Sequence, residues 1–215
     1  MNEDLRKQLG ISEDKPNDWF ETLYAGTDEA GEGVPWANMA PHPLFNDWLK
    51  EHALNGNGKT ALVVGCGMGD DAIALEQLGF KVTAFDVATS AIQLCKKRFP
   101  NSSINFVQGD LLAGFPEWKH QFDFVLEIFT IQALPPKYEE TLIQHVSDFV
   151  SAQGELMVIT EVQHAKRTYE VGPPWLLNED YINKFENTGL SLISTDKTNE
   201  PEIGDEIHLT IFKRG

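Results

Sequence analysis

Cysteine, basic charge and long apolar runs are all scarce in this chain. Two cysteines, Cys66 and Cys95, among 215 residues do not make a disulfide framework. They read as small buried thiols in a reducing compartment. Lysine and arginine number 17 against 33 acids, for a net charge of −16. A polyanion is repelled by nucleic acid and by anionic lipid, so neither is an expected partner. The densest basic run, Lys96-Lys97-Arg98, reads as a solvated helix end whose cations complement the dipole. No apolar stretch is long enough to cross a bilayer. Met1 to Gly10 is polar and mixed in charge, without a secretory pattern, which makes the expected location cytoplasmic. The histidines show no Cys/His cluster at metal-ligand spacing, so no metal is expected. Repeats and low-complexity tracts are absent, and the length suits one domain over 1–215.

What is present is organised around residues 61–75. Ala61 to Val64 is a short apolar run that reads as a buried strand. Gly65, Gly67 and Gly69 interrupt it, and Ala72, Ile73, Leu75 and Leu78 resume at helical spacing. The unit is therefore strand, glycine turn, helix. Glycines admit positive φ and close approach of a ligand to the backbone, and the helix start offers free N–H groups. A dinucleotide turn needs Gly-x-Gly-x-x-Gly. Here the slot for its last glycine holds Asp70, with Asp71 after it. Two carboxylates there would repel a pyrophosphate and suit a ligand that carries a cation. Asp86 follows the run Phe80 to Phe85, seventeen residues beyond Gly69, and an acid ending a second strand is placed to take both hydroxyls of a ribose. A ribose joined to a cation without pyrophosphate describes S-adenosylmethionine. A glycine turn that serves packing alone is the bland alternative.

Before that unit, residues 1–55 read as an N-terminal helical arm. Leu5 to Leu9 starts a short helix, Trp19, Phe20, Leu23 and Tyr24 share a helical face, and Pro43 opens an amphipathic helix to Leu54. The arm either packs as a structural lid or closes its aromatics over the ligands. Beyond Asp86, helix 88–99 and strand 104–107 lead to Asp110-Leu111, an acid and an apolar residue placed to hold an adenine edge and ring. Asp110 as a plain turn residue is the alternative. Strand 121–127 is nearly all apolar and ends in Glu127, at the carboxyl end where ligands bind in parallel sheets. Helix 137–150, strand 154–160, a polar connection with His164 and Tyr169, the turn Gly172-Pro173-Pro174-Trp175, a helix capped by Asn178, and strands 189–195 and 206–212 complete the order. Alternating strands and helices predict an α/β fold, a doubly wound, mostly parallel seven-stranded sheet ending in an antiparallel hairpin.

This order of motifs resembles the class I S-adenosylmethionine-dependent methyltransferases, with a Rossmann-like fold, over almost the whole chain. Val34-Pro35-Trp36 is similar to the Thr-Pro-Trp element of the thiol and halide methyltransferases of the thiopurine methyltransferase superfamily. Val64-Gly65-Cys66-Gly67 with Gly69 and Asp71 is similar to their Pro-Gly-Cys-Gly-Gly-Gly-His-Asp, and Gly172 to Trp175 to their Gly-Pro-Pro-aromatic turn. The resemblance implies cofactor contacts from Trp19, Trp36, Gly65, Cys66, Gly67, Asp71, Asp86, Val87, Asp110, Leu111, Glu127 and Ile128. The family's Trp-Asp pair is Trp36-Ala37 here, and its tyrosine after strand four is Ile128.

Methyl transfer from a sulfonium is an in-line displacement with an activated leaving group, so the protein need only align the nucleophile in a dry pocket. Residues 127–130 lack the Asn/Asp-Pro-Pro-aromatic motif that serves amide and nucleobase nitrogens. The expected acceptor is a small thiol, halide or related soft anion. A metabolite oxygen, carboxylate or nitrogen is a sister reading, and cofactor binding without catalysis or a nicotinamide oxidoreductase belong to other classes. Phe129, Tyr169 and Trp175 are candidate pocket walls or core residues. If a base is needed, His164 or Tyr169 is the candidate. The product would be S-adenosylhomocysteine, and the protein a monomer or weak dimer.

Overall fold

The computed structural model describes residues 9–166, 172–198 and 203–215. Residues 5–8 of the expected Leu5–Leu9 helix and Tyr169 lie outside the described residues. Two compact units meet in sequence between Asp110 and Leu111.

In the first unit the chain runs α1 (Asp18–Ala25), α2 (Pro43–Glu51), β1 (Thr60–Val64), α3 (Asp70–Gln77), β2 (Lys81–Asp86), α4 (Thr89–Arg98) and β3 (Asn105–Gln108). Its strands are parallel in the order β3-β2-β1, with Val64 beside Phe85 and Asp86 beside Gln108. Ala61, Leu62, Val63 and Val64 are all buried, as the unbroken apolar run requires. Pro43 opens α2, where its missing N–H costs nothing. The helix stops at Glu51, three residues short of the expected Leu54.

The second unit runs β4 (Phe122–Ile128), α5 (Glu139–Phe149), β5 (Val150–Val162), α6 (Tyr181–Glu186), β6 (Leu190–Thr198) and β7 (Glu206–Arg214), with single 3-10 turns before α5. The order is β4-β5-β7-β6, with β4 parallel to β5 and β7 antiparallel to both neighbours. Strand β5 begins at Val150, earlier than the expected Gly154, because a register shift between Phe122 and Phe124 lets the chain pair on both sides of Gly154. Asn178 does not cap α6. Its amide donates to the carbonyls of Gln163 and Ala165 instead, and the helix starts at Tyr181. The seven strands are mostly parallel with an antiparallel end, the α/β class expected from the sequence.

Candidate functional site

The glycine turn between β1 and α3 adopts the conformation that its composition predicts. Gly65, Gly67 and Gly69 have φ of 59°, 49° and 87°, a region that side-chain-bearing residues rarely enter. The turn is tied to β2 on one side. Cys66 N–H donates to the Phe85 carbonyl at 2.8 Å, and Gly67 N–H to Asp86 Oδ2 at 3.0 Å. Asp86 Oδ1 accepts from Ala88 N–H at 2.9 Å, at the start of α4. Burial pushes the Asp86 carboxyl up to about 6, against the pull of those N–H donors. The Val87 N–H acts on the carboxylate as well, and of its roughly four lone-pair positions these three donors leave one that can accept from a ligand hydroxyl. Val87 follows, its carbonyl held by Gln108 at 3.0 Å. Asp110 lies just past β3, where Gly109 N–H donates to the Asp86 carbonyl at 2.9 Å.

The two acids at the start of α3 have separate fates. Asp71 Oδ1 accepts from His42 N–H at 2.8 Å, and burial raises its carboxyl to about 6. Asp70 is held by Arg98 in a two-pronged pair, Nη1 to Oδ2 and Nη2 to Oδ1 at 2.8 Å each. Arg98 also donates to the Met68 carbonyl. The last residue of the basic run is therefore a buried strut, 10% exposed, and not a solvated helix end. Lys97 does lie outside, paired with Glu29. Both cysteines are free and buried, as expected. The Cys95 thiol donates to the Gly67 carbonyl at 3.1 Å. Contact with Cys95, then burial, raises the Cys66 thiol well above its usual range.

The aromatic arm closes on this turn. Tyr24, Val34 and Met68 pack with Ala88 and Ala91 of α4. A Cβ on Gly67 would sit 2.8 Å from the Tyr24 hydroxyl, so glycine is required there for contact as well as for φ. Trp36 Nε1 donates to that hydroxyl at 2.8 Å. Trp19 stands edge-on to Trp36 with centroids 6.0 Å apart. Glu21 fastens α1 to α4, taking Ser90 N–H at 3.1 Å and Ser90 Oγ at 2.5 Å. It thereby caps a helix whose own N-cap, Ala88, has no side chain for the task. The sequence reading missed Tyr24, Glu21 and Arg98 as parts of the site. Tyr24 shares the aromatic face with Trp19, which was the one local signal.

In the second unit Glu127 is the penultimate residue of β4, which runs to Ile128, one residue beyond the expected end. Its Oε1 accepts from Thr130 and Ile131 N–H at 2.7 and 2.9 Å. Oε2 is buried without a hydrogen-bond partner among the described residues, and burial raises the carboxyl to about 7. Leu111 is buried, and Ile128 is half-buried. Phe129 has φ of +58°, a rare backbone for a bulky residue and a common mark of functional turns. Trp175 is 2% exposed; its backbone N–H donates to the Gln132 carbonyl and its ring covers Gly172. His164 is exposed, with its backbone N–H on Asp205. Glu179, Glu206 and His208 gather their ligand-type atoms within 4.8 Å. The Lys197 ammonium already lies 2.7 Å from Glu179 and 3.1 Å from Glu206, which supplies the charge that a metal would bring. No helix among the described residues is long and apolar enough to cross a membrane.

A family model described as a methyltransferase domain matches residues 61–154. That span begins in β1 and takes in the glycine turn, Asp86 and Glu127. Over those residues the chain is similar to the methyltransferase domain. Among curated proteins it is 26% identical over 153 residues to a probable thiol methyltransferase 2 of Arabidopsis thaliana, covering 69% of this chain and 63% of that protein. It is also 26% identical over 141 residues to a ubiquinone biosynthesis O-methyltransferase of Erwinia tasmaniensis, covering 65% and 56%. The chain thus spans under two thirds of these relatives' lengths. The N-methyltransferase NodS of Bradyrhizobium japonicum, solved with S-adenosylhomocysteine, superposes with a TM-score of 0.69 at 15% identity, over 93% of this chain and 98% of its own. That likeness shows the methyltransferase fold across nearly the whole chain.

Proposed function

We propose that this protein transfers the methyl group of S-adenosylmethionine to a small thiol, halide or related soft anion. The observation that carries the cofactor half is Asp86, a buried carboxylate at the end of β2 with acceptor capacity beyond its backbone bonds, beside a backbone left bare by Gly65 and Gly67. A ribose hydroxyl fits that acceptor. Trp19, Trp36, Cys66, Asp71, Val87 and Asp110 are the further contacts in the same unit, and residues 1–55 act as the arm that covers the cofactor. The bound cofactor supplies an activated methyl group on a sulfonium. The acceptor's electron pair forms the new bond to carbon as the carbon–sulfur bond breaks, with that pair left on a neutral thioether.

Support for a sulfur or halide acceptor comes from the Val34-Pro35-Trp36 and Gly172 to Trp175 motifs and from the thiol methyltransferase relative. Such nucleophiles are reactive without a strong base, in keeping with the exposed position of His164. The test is calorimetric titration with S-adenosylhomocysteine, then a labelled-methyl assay against a thiol, hydrosulfide, iodide and aromatic acids. Micromolar binding with label on thiol or iodide supports the proposal. Label on an oxygen of the acids would assign an O-methyltransferase, and binding without transfer to any acceptor would refute the soft-anion assignment.

A further inference from the structure

The start of β7 gathers metal-type donors that the methyltransferase reading does not use. Glu206 and His208 alternate along the strand and so share a face, and Glu179 reaches them from the turn before α6. Their ligand-type atoms, two carboxylate oxygens and an imidazole nitrogen, lie within 4.8 Å of one another. His208 Nε2 is 2.8 Å from Glu206 Oε2. The imidazole is fully buried, while Glu179 is exposed and lines a surface hollow with Gln163, His164 and Asn178. The set thus has a fixed inner member and an open outer side, which gives an ion a way in. A cation already stands there. Lys197 lies opposite His208 in the pairing of β6 with β7, and its ammonium is 2.7 Å from Glu179 and 3.1 Å from Glu206. Two carboxylates against one ammonium leave one negative charge in excess. The Lys197 side chain is 42% exposed on a flexible stem, and exposed ion pairs are worth little, so the ammonium is displaced at small cost.

The imidazole is supported from behind by groups outside the cluster. Its Nδ1 is 3.2 Å from the Tyr181 hydroxyl, which is 2.6 Å from Thr210 Oγ1. Thr210 Oγ1 is in turn 3.3 Å from Thr195 Oγ1. Each hydroxyl gives one proton and accepts others, so the row runs in either direction. In one direction Tyr181 donates to Nδ1, and Nε2–H donates to Glu206. In the other, Nδ1–H donates to Tyr181, Tyr181 donates to Thr210, and Nε2 turns a bare lone pair on the cluster. The second state is the one a metal needs. A ring N–H held by an oxygen on the far side is the usual support of a histidine ligand, fixing both tautomer and ring orientation.

We propose that Glu179, Glu206 and His208 form a zinc site, with Lys197 as the competing resident cation. One imidazole and two carboxylates suit zinc and leave a fourth position for water. The nitrogen donor argues against magnesium and calcium, which take oxygen. Tetrahedral bonds of about 2.1 Å set ligand atoms about 3.4 Å apart, a spacing that a small inward move of the exposed Glu179 side chain provides. Zinc cancels both carboxylate charges, where the ammonium cancels one. The ion ties the turn ahead of α6 to the β6–β7 hairpin, and none of its ligands belongs to the unit that carries the glycine turn. Sequence spacing gives no sign of the site, because residue 179 meets 206 and 208 only through the fold.

The experiment strips the whole chain with EDTA and titrates zinc chloride by calorimetry, with magnesium chloride as the control. One saturable zinc site is expected, with magnesium at least about 100-fold weaker. Glu179→Gln and Glu206→Gln are each expected to weaken zinc about tenfold or more. Lys197→Met frees the carboxylates and is expected to tighten zinc about threefold or more. Circular dichroism checks the fold; Glu179 and Lys197 are exposed, so these two variants report even if Glu206→Gln does not fold. Cobalt(II) in place of zinc reads the ligand types. Visible bands of tetrahedral strength, lost in Glu179→Gln, support the site. Near-ultraviolet bands of thiolate coordination overturn it, since Cys66 or Cys95 then holds the metal. Zinc affinity unchanged in Glu179→Gln, or not tightened by Lys197→Met, overturns the proposal, as does the absence of saturable zinc binding.

Discussion

Asp86→Asn separates binding from folding because the carboxylate that would bind the cofactor is also a burden on the apo protein. Burial moves its carboxyl from 3.8 to about 6, which at 1.36 kcal/mol per pH unit is about 3 kcal/mol of destabilisation when fully charged. The sign follows from the direction. A raised carboxyl favours the folded state below pH 3.8, and that advantage is lost as pH climbs through about 6. Asparagine removes the charge but presents an amide N–H₂ to one of its backbone donors, Gly67 or Ala88. Leaving one buried N–H unpaired costs about 1–3 kcal/mol. The two effects nearly cancel, so apo stability at pH 7.5 is expected to stay level or rise slightly. Binding fares differently. A hydroxyl-to-carboxylate bond is worth about 1.5–3 kcal/mol, so S-adenosylhomocysteine affinity is expected to fall by at least about tenfold. In the wild type, affinity is expected to drop below pH 6 as Asp86 and Asp71 take protons, while the variant shows the shallower fall that Asp71 alone gives. Calorimetry from pH 5 to 8, paired with thermal melts, reads all of this. A folded variant that binds within fivefold of wild type would refute the ribose assignment.

The remaining predictions concern the scaffold. Arg98→Ala strips a half-buried carboxylate, Asp70, of its two-pronged partner and is expected to cost about 2–4 kcal/mol in denaturant unfolding; Arg98→Lys recovers little of it, because one ammonium cannot bridge both oxygens. Glu21→Ala removes the cap on Ser90; about 1 kcal/mol of stability is lost, and the amides of α1 exchange with deuterium faster while those of β1 do not. Glu127→Gln removes a buried carboxyl raised from 4.5 to about 7. A group raised in this way destabilises the fold as pH rises through 7, so the variant is expected to gain melting temperature over wild type at pH 8 and none at pH 5. A melting difference independent of pH would show that folding does not raise the Glu127 carboxyl above its ordinary range.

The parts of the site that could be read from the sequence are those written locally. Three alternate glycines between an apolar run and a helical pattern fix the turn. Asp86 was legible because a parallel strand of ordinary length places its last residue beside the turn, and the paired register of Val64 with Phe85 does so. The contacts that hold the arm were not legible, since Glu21 reaches Ser90 across 69 residues and Asp71 reaches His42 across 29. Nothing in the spacing of those residues distinguishes them from solvated charges. The strand bounds erred for a similar reason. Strand β5 starts before Gly154 because its pairing with β4 tolerates a register shift, and that is a property of the neighbour and not of the segment.

The acids at the helix start show how a sound inference can rest on a wrong charge count. The sequence argument against a pyrophosphate assigned two negative charges to the start of α3. Arg98 neutralises Asp70, and Asp71, raised to about 6, is mostly charged at pH 7. About one negative charge therefore remains to repel phosphate. The stronger exclusion is steric and conformational. The turn is covered by Tyr24, whose hydroxyl lies within 2.8 Å of where a Gly67 side chain would begin, and residue 70, where the dinucleotide pattern needs a glycine for close approach, carries a side chain committed to Arg98. A ligand without phosphates, which can present a ribose to Asp86 and a cation to Asp71, meets neither obstacle. The preference for such a ligand thus follows from the shape of the turn, with charge as the smaller term.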